Sequence, residues 1–395
     1  MLSKIKLFDP NTGKEEESAV LRVLNSHFWA SGGGSGDVLK FENEFAKYID
    51  SSSCVAVNSG TSALNLALSL LDLKGKEVIV PSLTFVATIN AILINGAKPV
   101  FVDIDPKTLC LDPLLIEKSI TKKTACILAV HFAGISCDLD SILKICKKFN
   151  LELVEDAAHA VGTNYKQKKI GTHGTCVCFS FHPAKNLAMP TGGLISINHK
   201  NHQKMKSTLN ARRWCGITNR KGTDYDVKEV GWNYYMNEFS AAIGRIQLKK
   251  LDKMNNKRKK IAKRYENELN TNKKIPFDKN CSYHMYWILV KNQKKFRGQL
   301  LDSGIETGTH YKPVHTMSMF NSITNLPITE KVGNEIEFLR RALMAACKRA
   351  QVSVAEYLTC ASDESSFRRQ LLIQERRAGK CALHFAVAGR DWRRA

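Results

Sequence analysis

The sequence of 395 residues contains no apolar run that approaches membrane-spanning length, and it does not open on a charged segment followed by an apolar core. Those two absences lead to the expectation of a soluble, cytoplasmic protein. No internal repeat appears either, which sets solenoid and propeller arrays aside. Twelve cysteines are present, without the framework of a short secreted chain. Most lie inside apolar runs such as TACILAV and TCVCFSF, which is the pattern of buried thiols in a reducing compartment. Cys176 and Cys178 have no second pair at ligand spacing, and strand alternation points both side chains the same way, so no metal site is expected.

With 44% apolar residues the chain is not disordered as a whole, and its length supports one main α/β domain plus a smaller one. The formal charge of +22 invites a nucleic-acid reading, but the lysines are spread over helical surfaces. The one dense run, KKLDKMNNKRKKIAKRYENEL from Lys249, alternates with apolar residues at helical spacing and reads as a solvated helix face. Nucleic acid is therefore not the expected partner.

In chain order, an acidic start and apolar spacing predict a helix after Lys14, and SGGGSG, Ser31 to Gly36, reads as either a mobile loop or one that closes over a ligand. A second helix is expected over Val38 to Ile49. Cys54 to Val57 form a short strand, Asn58 to Thr61 a turn, and Ser62 to Leu71 an apolar helix whose free N–H groups can hold a phosphate. Strand 77–80, helix 85–95 and strand 99–102 then indicate parallel βαβ crossovers, continued by strand 125–130, a helix from Asp138, and strand 151–155. A polar helix is expected to run through ARRWCGITNR, and a long helix from Asn237 leads to a small C-terminal domain with strand 285–290. Ligands in such sheets bind beyond the carboxyl ends of the strands, where Asp156, Phe85 and His131 fall.

The chain is organised around Leu151 to Gly193. One apolar run ends in Glu155-Asp156; another, Cys176 to Phe181, is followed four residues later by Lys185. An acid at one strand end and a lysine past another suit pyridoxal phosphate, held as an imine on lysine with its ring nitrogen paired to aspartate.

Seven motifs occur in one order: NSGTSALNLAL, VIVPSLTFVAT, GAKPVFVDID, VEDAAHAVG, FSFHPAKN, GWNYYMNEFSAAIGRIQL and HYKPVH. By these, residues 30 to 335 resemble the sugar aminotransferases, pyridoxal-phosphate enzymes of fold type I that act on nucleotide-linked keto sugars. The resemblance implies an α/β large domain with a mainly parallel sheet flanked by helices, plus a smaller α/β C-terminal domain. It implies Lys185 as the imine-forming lysine, Asp156 as partner of the ring nitrogen, Phe85 as the stacking aromatic and His159 as neighbour of the ring hydroxyl. Gly60, Thr61 and Ser62, with Ser180, match the phosphate cradle. Asn233 matches a residue that reaches the phosphate of the neighbouring subunit, which implies a homodimer with shared sites. Glutamate or glutamine is the implied amino donor, and His310, Tyr311 and His315 are substrate-side candidates.

Two positions depart from the family pattern: Thr191-Gly192-Gly193 stands where many relatives have Glu-Gly-Gly, and Tyr235 where arginine often follows. The division expected is 1–250 for the large domain with its N-terminal arm, 251–337 for the linking helix and an incomplete small domain, and 338–395 for an anomalous tail. From Leu339 onward there are ten arginines, two lysines and no asparagine, against eight arginines and thirty-nine lysines before it, so the tail reads as a frameshift or fusion product. The rival readings are a pyridoxal-phosphate sugar dehydratase or lyase, and a catalytically impaired regulatory or anion-binding homologue.

Overall fold

The structure, a computed structural model, describes residues 9–302, 305–320 and 324–339. The tail expected to be anomalous lies outside these from residue 340 on, as does the lead-in through residue 8.

Helices α1 (Lys14–Asn25) and α2 (Gly36–Ile49) precede β1 (Ser53–Val57), α3 (Gly60–Ser69), β2 (Glu77–Pro81), α4 (Val86–Ile94) and β3 (Lys98–Val102). A short α5 (Pro113–Ile116), β4 (Thr124–Val130), α6 (Leu139–Phe149) and β5 (Glu152–Asp156) follow. After a two-residue ribbon of β6 (Asn164–Tyr165) and β7 (Lys168–Lys169) come β8 (Cys176–Ser180) and β9 (Gly193–Ile197). The central sheet has the order β1-β9-β8-β5-β4-β2-β3, with β9 the one strand that runs against the others.

The strands are near-continuous apolar runs because both sheet faces are covered. Alternation then sorts their side chains. Leu153, Val177 and Phe179 join a core with Phe41, Phe45 and the residues of α6, while Val154, Cys176 and Cys178 join the core under α3 and α4. The helices are specified locally as well: α6 buries Leu139, Ile142, Ile145 and Cys146, is capped by Asp138 accepting from the Ser141 N–H, and stops at Asn150 in the left-handed conformation.

Helix α7 (His202–Arg212) is shorter than the expected run through ARRWCGITNR. The chain turns where Cys215 takes a φ of 56°, and Ile217–Lys221 instead forms strand β10, paired in a hairpin with β11 (Asp224–Val227). The helix expected from Asn237 and the basic run after it are one element, α8 (Glu238–Glu268), capped by Asn237 accepting from the Ser240 N–H. The C-terminal part comprises β12 (Tyr286–Leu289), α9 (Gln293–Asp302), α10 (Pro327–Glu335) and β13 (Ile336–Leu339). Strand β13 pairs antiparallel with β12 and carries Phe338, the first residue assigned to the tail in the sequence division. Trp287 and Phe338 share the apolar core of Phe45 and Phe179, so this part is packed onto the first.

Strand β1 lies at the sheet edge, and its outward backbone groups have side-chain partners. The Ala56 N–H donates to Glu42 Oε1 at 2.9 Å, and Arg213 Nη1 donates to the Ala56 carbonyl at 2.8 Å. Glu42 and Arg213 pair at 2.6 Å with both side chains 1% exposed. The glycine run packs on the same arginine: Gly34 has a φ of +69°, and a Cβ there would meet Arg213 Nη2 at 1.9 Å. The run is thus wedged against the core of the chain. Removing one member of a buried pair strands the other charge, so Arg213→Ala is expected to cost about 3–5 kcal/mol in denaturant unfolding. Replacing both Glu42 and Arg213 by methionine should cost less; equal stability of Arg213→Ala and wild type would contradict the role given to the pair.

Candidate active site

Strands β2, β4, β5 and β8 and the first turns of α3 and α4 converge on a cavity of about 380 Å³. It is lined by Gly60, Thr61, Phe85, Asp156, His159, Ser180, Lys185, His310 and Tyr311 among the residues expected from sequence, and also by Ser59, Thr88, His182, Thr191, His284 and Phe338.

Asp156 ends β5 on the α4 side of the sheet and is 6% exposed. Thr88 Oγ1, one turn into α4, donates to its Oδ2 at 2.8 Å, and the Ala158 N–H donates to Oδ1 at 3.1 Å. Burial pushes the carboxyl above its usual range despite these two bonds and the charges of Lys185 and His131. Glu155, one residue earlier, points to the other face, where its Oε2 meets His131 Nε2 at 2.7 Å. His131 is thus fully buried behind the strand and is not among the residues lining the cavity.

Lys185 sits in a tight turn after β8, its N–H donating to the His182 carbonyl at 2.7 Å. The loop it belongs to is closed by Phe181 N–H to Gly192 carbonyl at 2.9 Å and Met189 N–H to Phe181 carbonyl at 2.8 Å. Burial, and then the Lys185 charge, lower the His182 pKa. At the other end of the cavity α3 begins. Ser59 caps it by accepting from the Ser62 N–H at 3.1 Å, and a Cβ on Gly60 would lie 2.7 Å from Ser180 Cβ, so only glycine fits between helix and strand. Ser62 turns away: its hydroxyl donates to Asn58 Oδ1 at 2.6 Å and it does not line the cavity.

Phe85 is 54% exposed at the start of α4, with its ring 5.7 Å from that of Tyr311. His159 lies between Tyr311, on which it stacks at 6.1 Å, and His284, whose ring is tilted by 30° at 4.6 Å, and its Nε2 meets the Tyr311 hydroxyl at 3.2 Å. Burial and the nearby Asp156 raise the Tyr311 pKa, so its phenol stays protonated. His315 is elsewhere. It is 3% exposed, with Nδ1 2.6 Å from Ser82 Oγ and Nε2 3.3 Å from Glu330, and it ties its segment to the end of β2. Asn233 is exposed and outside the cavity; its carbonyl accepts from Asn58 Nδ2 at 3.2 Å.

The residues sequence reasoning missed had weak signals. Thr88 stands three after Phe85, hence one helical turn away, while His284 and Phe338 come from a distant part of the chain with no motif around them.

The arrangement is an enclosed slot with a buried acid at one side, a lysine, and a helix N-terminus beside a small-residue cradle for an anion. These features match the needs of pyridoxal phosphate: a cationic ring nitrogen would relieve the Asp156 carboxylate that burial penalises, and the N-terminus of α3 beside Ser180 offers backbone donors to a phosphate. In the chain with no ligand the acid has the opposite effect. Its folded pKa lies above the unfolded value of 3.8, so the native state binds the extra proton and stability falls as pH rises from 3.8 through the raised pKa. Asp156→Asn should therefore unfold at higher denaturant than wild type at neutral pH in ligand-free protein, with the difference narrowing as pH falls toward 3.8. A difference that does not change with pH would rule out Asp156 as its source.

Comparison with known proteins agrees with this geometry. Residues 10–354 match the DegT/DnrJ/EryC1/StrS aminotransferase family. The chain is 37% identical over 324 residues to the spore coat polysaccharide biosynthesis protein SpsC of Bacillus subtilis, covering 78% of this chain and 82% of that one. It is 36% identical over 342 residues to GDP-perosamine synthase of Escherichia coli O157:H7, covering 83% and 91%. The putative sugar aminotransferase Spr1654 of Streptococcus pneumoniae, solved in its PLP form, superposes with a TM-score of 0.80 at 27% identity over 85% of this chain and 93% of that one. The chain belongs to the DegT/DnrJ/EryC1/StrS aminotransferase family and is a sugar aminotransferase of the pyridoxal-phosphate type I fold.

Proposed function

We propose that the protein moves an amino group from glutamate or glutamine to a nucleotide-linked keto sugar, with pyridoxal phosphate as cofactor and a homodimer as the working unit. The observation that carries this reading is the convergence of Lys185, the buried Asp156 and the Gly60–Ser180 cradle on one cavity. The similarity to a GDP-perosamine synthase supports a nucleotide-linked substrate.

When bound, the cofactor supplies an electron sink and a carbon that carries nitrogen between donor and acceptor. Asp156 would pair with the ring nitrogen and favour its protonated form, with Thr88 and Ala158 fixing the carboxylate in turn. Lys185, in the turn after β8, would hold the group, and its amine would be placed to move a proton at the substrate carbon. Gly60, Thr61 and Ser180 hold the phosphate at the N-terminus of α3, and Ser62 acts one step back by orienting Asn58. Phe85 would stack on the ring, and His159 would hold the side of its hydroxyl. His310 and Tyr311 contact the sugar side, whereas His315 supports that segment from behind. Asn233 reaches the cofactor phosphate of a second copy, which its exposed position permits.

Purified protein with pyridoxal phosphate should show the visible band of lysine-bound cofactor. Glutamate or glutamine should bleach it, and one of a panel of nucleotide-linked keto sugars should restore it. Lys185→Ala should abolish both the band and turnover; turnover surviving in that variant would refute the assignment. Mixing Lys185→Ala subunits with Asn233→Ala subunits should recover part of the activity through one intact site per mixed dimer, and mixed dimers without recovery would count against shared sites.

A further inference from the structure

Asn186 follows the cavity lysine, is 3% exposed, and contacts neither solvent nor the cavity. Two backbone carbonyls decide which way its amide and that of Asn255 on α8 point. A carbonyl can only accept, so the Asn186 atom 3.1 Å from the Ser282 carbonyl is Nδ2, and the same nitrogen donates its other hydrogen to Asn255 Oδ1 at 3.0 Å. Asn255 is fixed in the same way by Nδ2 donating to the Val161 carbonyl at 3.0 Å. The atom of Asn186 that meets His284 Nδ1 at 3.2 Å is therefore Oδ1, which accepts. Neutral His284 must carry its proton on Nδ1, leaving Nε2 as its basic nitrogen.

His159, whose ring centre is 4.6 Å from that of His284, has the reverse assignment. The Ala133 N–H donates to its Nδ1 at 3.3 Å, so its proton is on Nε2, facing the Tyr311 hydroxyl. We propose that Asn186 is a positioning residue of this site: it ties the Lys185 turn to α8 and to the segment before β12, and it sets His284 in the Nδ1–H tautomer. Two neighbouring imidazoles in the cavity wall are thereby held in opposite tautomers. The same amide makes the lysine turn and the C-terminal part of the chain move as one, because the segment it grips, Ser282 to His284, leads directly into β12.

The link to Lys185 rests on the function proposed above; the tautomer does not. In full-length protein labelled with ¹⁵N-histidine and loaded with pyridoxal phosphate, two-bond ¹H–¹⁵N correlations should show His284 protonated at Nδ1 and His159 at Nε2. The resonances are assigned by their loss in His284→Asn and His159→Asn. Asn186→Ala should shift His284 away from the Nδ1–H form and speed cofactor release on dialysis roughly tenfold, the effect of losing about one buried hydrogen bond. His284→Asn keeps an amide donor at the Nδ1 point and should release cofactor more slowly than His284→Gln. His284 found as the Nε2–H tautomer in wild type overturns the proposal, and so does Asn186→Ala that leaves both the tautomer and the release rate unchanged. Should Asn186→Ala fail to fold, the wild-type spectrum and the two His284 variants still decide. Absence of a visible band in wild type together with the expected tautomers would refute the role of Lys185 and leave the tautomer assignment standing.

Discussion

Burying a carboxylate at the end of β5 is the constraint from which the rest of this site follows. A strand covered on both faces gives no water to an acid at its tip, so Asp156 requires donors from its neighbours and a cation from a ligand. Alternation makes the requirement double. Glu155 is carried to the opposite face, where His131 and the Gly174 N–H meet its two oxygens. The sequence pair Glu155-Asp156 thus places one acid in an internally satisfied network and the other in a cavity, and the two cannot exchange roles without a one-residue slip of the whole strand.

The second constraint is directional. A lysine that is to reach the same cavity must leave the sheet from β8, the next strand over, and its turn has to be held from outside the sheet. The turn is fixed by backbone bonds at Phe181 and Met189 and by the buried amide of Asn186. That amide reaches α8 and the chain before β12, and Phe338 of β13 closes the cavity from the same side while packing 6.0 Å from Phe132. The large sheet supplies the chemistry at its strand ends; the C-terminal part supplies the wall that keeps those ends apart from solvent.

Much of this was legible in the sequence because it depends on short-range pattern. The apolar runs ending at Val57, Val80 and Val102, and those ending at Val130 and Glu155, are strand-length and joined by helix-period segments, which specifies parallel crossovers and puts Phe85 and Asp156 at one edge, with Lys185 just past the next apolar run. What escaped depends on side-chain direction or on distant pairing. Ser62 has the right residue type in the right turn, but its hydroxyl is spent on Asn58 and Ser59. His315 stands in a motif with His310 and Tyr311, yet it is drawn away by Ser82, more than two hundred positions earlier in the chain. The end of α7 does carry a local signature, Gly216, which takes a φ of 77° and donates its N–H to the Ala211 carbonyl at 2.8 Å, but the polar run on either side of it has no apolar period to show that the helix has ended.

Charge operates on two scales here, and only one of them bears on the chemistry. The excess of +22 is carried by exposed lysines such as Lys249, Lys253, Lys257 and Lys260 along α8, which do not line the cavity. Inside the cavity Asp156 is the one acid among the described lining residues, set against Lys185 and four imidazoles, those of His159, His182, His284 and His310. The Lys185 ammonium and the N–H groups of these imidazoles can both meet an anion, which suits the phosphorylated and carboxylated ligands proposed above. A surface field of this sign would raise the rate at which anions arrive and would weaken with salt, whereas enclosed groups act at short range where screening is slight. A composition that suggests nucleic acid when summed over the chain therefore suits small phosphorylated and carboxylated ligands once each charge is given its place.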